Sequence, residues 1–160
     1  MKITLFMLAV AALASAVAVA ADVPGSYATS LGNVYGGYVR IAALKEACDT
    51  AVPATRAANA KAYTGWEAQH RALLQILQQR VQAMIRAASR DRDEYVRNIG
   101  KYEGEILLQR KEYRDTLLQL GKDDLREQCD RLPDTLKGPS ADLVRAYAEE
   151  LKVIRALKYQ

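Results

Sequence analysis

Residues 66–88 read WEAQHRALLQILQQRVQAMIRAA. At 100° per residue, Trp66, Leu73, Leu77, Val81, Met84, Ile85 and Ala88 fall in one stripe. That spacing predicts a long amphipathic helix reaching to about Ala88. It opens at Pro53, because proline suits a first helical turn. Gly65 is a point where it can bend. The next residues, SRDRD at 89–93, turn the chain, and Asp91 with Glu94 has the D-x-x-E grammar of a helix start.

Downstream, a second long helix is predicted from about Asp91 to Leu120, ended by Gly121. Its main stripe is Ile99, Tyr102, Ile106, Tyr113, Leu117 and Leu120. Val96, Leu107 and Leu118 repeat every eleven residues beside it. Together the two stripes make an apolar arc of about 160°. A helix that apolar touches two neighbours, or one neighbour and a partner protein. The second stripe is therefore core if the last helix covers it, and the candidate interface if not. The short connection makes the two long helices an antiparallel hairpin. Gly65 to Ser89 alone spans about 37 Å.

Shorter helices complete the expectation. One covers about Tyr38 to Cys48. Another covers Asp123 to Leu132 and stops before Pro133. Ser140 caps the last, with Leu143, Tyr147, Leu151, Ile154 and Leu157 inward. No sustained alternating run suggests a sheet. The predicted fold is all-α: a disulfide-clasped bundle of about five helices over residues 38–160, built on the hairpin, with the last helix along it. Residues 21–37 are rich in Gly, Ser, Asn and Tyr and read as a flexible arm. Tyr27, Tyr35 and the adjoining Tyr38 could offer a partner amphipathic aromatic contacts.

The chain holds two cysteines in similar settings: EACDTAVP at 46–53 and EQCDRLP at 127–133. Both fall near the open end of the hairpin, so Cys48 and Cys129 are expected to pair. The similar grammar then has a simple cause, a helix ending followed by proline. The bond would close a loop of about 80 residues, worth roughly 4–5 kcal/mol in the chain-entropy description. No CxxC or CxxCH occurs, which excludes a thioredoxin-like redox pair and covalent haem of that type.

Compartment follows from the first residues, MKITLFMLAVAALASAVAVAAD. Lys2, an apolar run and the closing Ala18-Val19-Ala20 form a secretory leader, with cleavage expected after Ala20. An uncleaved anchor is the rival, since about 19 apolar residues can just span a bilayer. A leader and paired cysteines point to a periplasmic or secreted protein. The formal net charge of +4 falls by one with the loss of Lys2. Acidic residues are interspersed throughout, so a mixed solvated surface is expected, with no nucleic-acid partner and no stable membrane insertion after cleavage.

Candidate chemistry centres on the one histidine. His70 falls in the middle of the first stripe, one turn after Trp66, and Glu67 precedes it in a Glu-x-x-His spacing. That spacing supplies ligands in di-iron bundles, but one histidine cannot build two such motifs. His70 and Met84 share a face but lie about 21 Å apart along the axis, too far to ligate one iron. If hairpin positions pair when their numbers sum to about 180, His70 faces Arg110, and Trp66 is level with Arg114. Glu67, His70, Arg110 and Arg114 are then either a polar layer within the bundle or a small anionic-ligand pocket. Cations there oppose a metal, and no metal or cofactor is expected.

No GxSxG, P-loop, HExxH or Cys-His nucleophile occurs, so no catalytic residue is assigned and no enzyme is expected. Residues 62–74, AYTGWEAQHRALL, resemble small exported helical proteins of the lysozyme-inhibitor-like class. The spacing around the Trp and the second Cys position depart from that class, and no functional residue is carried across. The expected role is noncatalytic protein binding of inhibitor, immunity, chaperone or adaptor type, with a homodimer possible. The alternative is a small-ligand or metal-binding bundle centred on His70.

Overall fold

The computed structural model describes residues 23–156, with side chains from residue 27. The expected leader, residues 1–20, and Leu157 lie outside the described residues. Among the described residues there are six α-helices and one 3₁₀ turn: α1 Val23–Ala51, the 3₁₀ turn Pro53–Thr55, α2 Arg56–Ala87, α3 Arg92–Leu118, α4 Lys122–Thr135, α5 Leu143–Ala146 and α6 Ala148–Ala156. The described residues contain no strand, and the fold is an all-α bundle. None of the described helices is long and apolar enough to cross a membrane.

The largest departure from expectation is α1. Residues 23–37, expected to be an arm, are its first half. Tyr27, Leu31 and Val34 recur at helical spacing and are buried, and Val39, Ala42, Ala43 and Ala47 continue the inner face. Each helical glycine costs about 1 kcal/mol against alanine. Full burial of a side chain the size of Leu or Val contributes roughly 1.5–3 kcal/mol. Burial therefore outweighs the glycine-rich composition. Gly37 also has a positive reason to be there. A Cβ at that position would lie 2.6 Å from the Tyr147 ring, so only glycine lets that ring approach the helix.

α2 and α3 form the expected antiparallel hairpin, with the Arg86 guanidinium over the Tyr95 ring beside the turn. Asp91 caps α3, accepting the Glu94 N–H at 2.8 Å, while the Glu94 carboxylate accepts the Arg90 N–H at 2.7 Å. A third long helix, α1, lies against this hairpin. α1 runs alongside α3 in the same direction, bringing Tyr35 near Tyr102 and Glu46 to Arg110. α6 packs along α1, through Asn33 and Glu150, and its Leu151 and Ile154 share a core with Leu77 and Val81 of the hairpin.

Helix ends differ for local reasons. Gly121 does not end α3; it precedes α4, and its carbonyl accepts the Leu125 N–H at 3.0 Å. α4 continues through Pro133 to Thr135. Pro133 lacks the N–H that the Cys129 carbonyl would have taken, but buried Leu132 and Leu136 anchor the helix on either side. Asp142, not Ser140, caps the helix that follows, and the chain bends again at Tyr147, giving α5 and α6 in place of one helix.

Two cores fill the bundle. One gathers Trp66, Leu125, Leu132 and Leu143 around the cysteines. The other joins Tyr27, Leu31, Leu77, Val81, Leu151 and Ile154. The Cys48–Cys129 disulfide is formed, with Cα atoms 5.3 Å apart, and ties α1 to α4. Cys48 lies in the last turn of its helix, as expected; Cys129 lies well inside α4.

Candidate functional site

Trp66 and His70 share one face of α2, a turn apart, and both are buried. Trp66 Nε1–H donates to the Ala141 carbonyl at 2.7 Å. His70 Nδ1 lies 2.9 Å from the Trp66 carbonyl, and Nε2 lies 3.2 Å from the Leu143 backbone N. A neutral ring protonated at Nδ1 satisfies both, donating to Trp66 and accepting from Leu143. His70 therefore fastens the start of α5 onto α2. With both nitrogens engaged and the side chain 2 % exposed, the ring has no position open to a ligand.

Asp142 flanks this latch, its Oδ1 3.6 Å from His70 Nε2. The same oxygen caps α5, accepting the N–H groups of Val144 at 3.0 Å and Arg145 at 3.4 Å. Burial opposes the Asp142 charge. The N–H groups of Arg145 and Val144 outweigh it and hold the carboxyl below its usual range.

The expected layer of Glu67, His70, Arg110 and Arg114 does not assemble. Its premise was direct side-chain pairing between α2 and α3, and α1 supplies the partners instead. Glu67 accepts from the Tyr38 hydroxyl of α1 at 3.2 Å and from Tyr63 at 3.4 Å. Arg110 pairs with Glu46 of α1, and its Nε is buried without a hydrogen-bond partner. Arg114 pairs with Asp115 beside it at 2.8 Å. His70 points away to α5. Glu67 and Arg110 nevertheless act on the same group, Tyr63. Burial, then Tyr38 and Glu67, push its hydroxyl pKa up, and Arg110 opposes them. Burial and the neighbouring Tyr35 push Tyr102 up to about 12. Among the described residues no group of His, Cys, Asp and Glu is arranged to hold a metal ion.

The tyrosines expected on an arm serve the interior. Tyr27 is fully buried, and Tyr38 stacks on Trp66 with ring centroids 6.1 Å apart. They are fixed because residues 23–37 are helical, so they do not form a mobile contact surface.

The second stripe of α3 is uncovered. Val96 is 59 % exposed, Leu107 64 % and Leu118 37 %, and Leu108 beside them is 54 % exposed. α6 lies on α1, on another side of the bundle, and leaves this face bare. At 100° per residue, Val96, Gly100, Leu107 and Leu118 fall within about 40° of one another, with Gly104 at their border. A Cβ at Gly100 or Gly104 would meet nothing within 4 Å, so the two glycines form an open notch.

A second feature has no counterpart in the expectation. Between α1 and α3 lies a groove of about 510 Å³, whose lining includes Gly32, Gly36, Arg40, Glu112, Tyr113 and Tyr147. Arg40 donates to the Tyr147 hydroxyl at 2.7 Å and sits 5.9 Å from the Tyr113 ring centroid. Burial works against its charge, but the neighbouring Tyr113 and Tyr147 hydroxyls more than offset that. The sequence signal was the run GNVYGGYVR at 32–40, whose glycines suggested looseness rather than the floor of a groove.

No family model, curated protein or solved structure matches the chain.

Proposed function

We propose that this is an exported, noncatalytic protein-binding protein whose docking face is the open side of α3. The leader pattern and the Cys48–Cys129 bond support a periplasmic or secreted setting. The observation that carries the binding role is α3 itself. It is a 27-residue helix with no fully buried residue, and its outer side presents Val96, Leu107 and Leu108 more than half exposed. Leu107 and Leu108 adjoin, with Val96 and Leu118 about three turns to either side, and exposed apolar side chains grouped along one helix suit an interface.

The partner's chemistry follows from the same face. The notch at Gly100 and Gly104 admits a large apolar side chain close to the helix backbone. Arg97 and Lys101 lie on one side of it and Glu103 on the other; all three are exposed and close no ion pair among the described residues. A helix bearing an apolar ridge, with a carboxylate along one flank and a cation along the other, complements that arrangement in the helix-in-groove manner. The His70-centred alternative loses its footing, because both ring nitrogens are used within the fold.

A photo-crosslinking residue at Leu107, with one at exposed Arg126 as control, tests this in the native envelope. The expected result is a discrete heterologous adduct from position 107 alone. The purified partner should then bind the wild-type protein in calorimetry and not Leu107→Asp. No adduct at 107, or equal binding by the variant, overturns the reading.

A further inference from the structure

We propose that the groove between α1 and α3 is a binding site for a small ligand bearing a carboxylate or phosphate group, anchored by Arg40. The site is independent of the α3 docking face and survives the failure of that reading.

The first argument is the state of Arg40. Its guanidinium closes no ion pair among the described residues. It is held instead by a tyrosine hydroxyl at 2.7 Å. A phenol that accepts from a guanidinium keeps its own O–H to donate. Arg40 is thus aimed without being neutralised, and Tyr147 adds a second donor beside it. Two donors of this kind converge on an oxyanion, and charge-assisted hydrogen bonds of this type are the strong ones.

The second argument is the backbone beneath. Gly37 is required by the Tyr147 ring, whose nearest atoms would lie 2.6 Å from a Cβ there. No such demand acts on Gly32 and Gly36, where a Cβ would meet nothing within 4 Å. Both line the groove and leave its floor as bare helix. Close approach of a ligand to the backbone is a reason for glycine at such positions. The third argument is Glu112, the one lining carboxylate, which also closes no ion pair among the described residues. It can take an N–H or O–H of the same ligand. The ligand class is therefore a small oxyanion that also carries a hydrogen-bond donor.

The test uses the full, disulfide-bonded protein and two probes, inorganic phosphate and N-acetylalanine, followed by amide chemical shifts. Saturable shifts in the millimolar range or tighter, centred on Gly32, Gly36 and Gly37, are expected from at least one probe. Which probe saturates distinguishes phosphate from carboxylate. Arg40→Gln should weaken that binding about tenfold or more, as loss of a charged hydrogen-bond donor does. Arg126→Gln, which removes an exposed cation outside the groove, should not. Gly36→Leu should also abolish binding while the protein melts no lower than wild type. Absence of saturation with both probes overturns the proposal. So does equal weakening by Arg126→Gln, which would mean general attraction to a basic surface. Undiminished binding by Gly36→Leu does the same.

Discussion

The backbone N–H of Leu143 donates to Nε2 of buried His70 at 3.2 Å, joining α5 to α2 across 73 residues of chain. The opposite ring nitrogen meets the Trp66 carbonyl of its own helix. A histidine in a Glu-x-x-His spacing thus serves as a clasp. His70→Ala leaves the Leu143 N–H buried without an acceptor and opens a cavity beside Trp66. The expected loss is about 2–4 kcal/mol in urea unfolding. A loss below about 0.5 kcal/mol, typical of surface positions, would mean the latch carries no load.

Asp142 makes the same junction sensitive to acid. Its carboxyl is held below the usual range, burial notwithstanding, by the N–H groups of Arg145 and Val144. A depressed carboxyl stabilises the fold above its unfolded value, about 3.9. That contribution fades as pH falls through the lower folded value. Melting temperatures of wild type and Asp142→Asn should therefore differ at neutral pH and converge below about pH 4. A gap that stays constant down to acid would show that the charge of Asp142 does not matter to the junction.

How much of this was legible depends on where each residue's partner lies. The stripe of α2 and the Asp91 cap were readable because their determinants are local. The disulfide was readable because two cysteines allow one intramolecular pairing and the hairpin brings both to one end. Tyr27, Leu31, Val34 and Tyr38 carried helical spacing too, yet Gly32, Gly36 and Gly37 argued against a helix. The reason for Gly37 is the Tyr147 ring, from a distant part of the chain. With α1 unrecognised, Arg110 could not be assigned to Glu46, nor Glu67 to Tyr38. Pro133 pointed to a helix stop because its cost is local, whereas the burial of Leu132 and Leu136 that offsets it is tertiary.

The Cys48–Cys129 bond closes a loop with a sequence separation of 81. Replacing both cysteines with alanine should lower stability by roughly 4–5 kcal/mol, on the chain-entropy account. Nonreducing peptide mapping should recover the two cysteines in one linked pair. Free thiols, or a linkage between chains, would refute the clasp.

Exposure of the second α3 stripe separates its role from that of the core. Val96→Asp with Leu107→Asp should shift stability by no more than about 0.5 kcal/mol per site, as surface changes do. Leu77→Asp, at a fully buried position, should unfold the protein. If the α3 pair unfolds the bundle as well, the stripe is core in solution and the docking face does not exist.

Gly36 and Gly37 are neighbours on α1 with opposite surroundings, and their alanine variants should differ in sign. A Cβ at Gly36 enters open space, so Gly36→Ala should gain up to about 1 kcal/mol from helix propensity alone. A Cβ at Gly37 lands 2.6 Å from the Tyr147 ring. Tyr147 cannot retreat without giving up the hydroxyl that accepts from Arg40 at 2.7 Å. Overpacking of this kind costs about 1–3 kcal/mol, so Gly37→Ala should be net destabilising. In a Tyr147→Ala background the clash is absent, and Gly37→Ala should then become stabilising, like its neighbour. Denaturant titrations of the single and double variants measure this sign change. A Gly37→Ala gain in both backgrounds would show that Tyr147 does not rest on α1 and that Arg40 is not held as described.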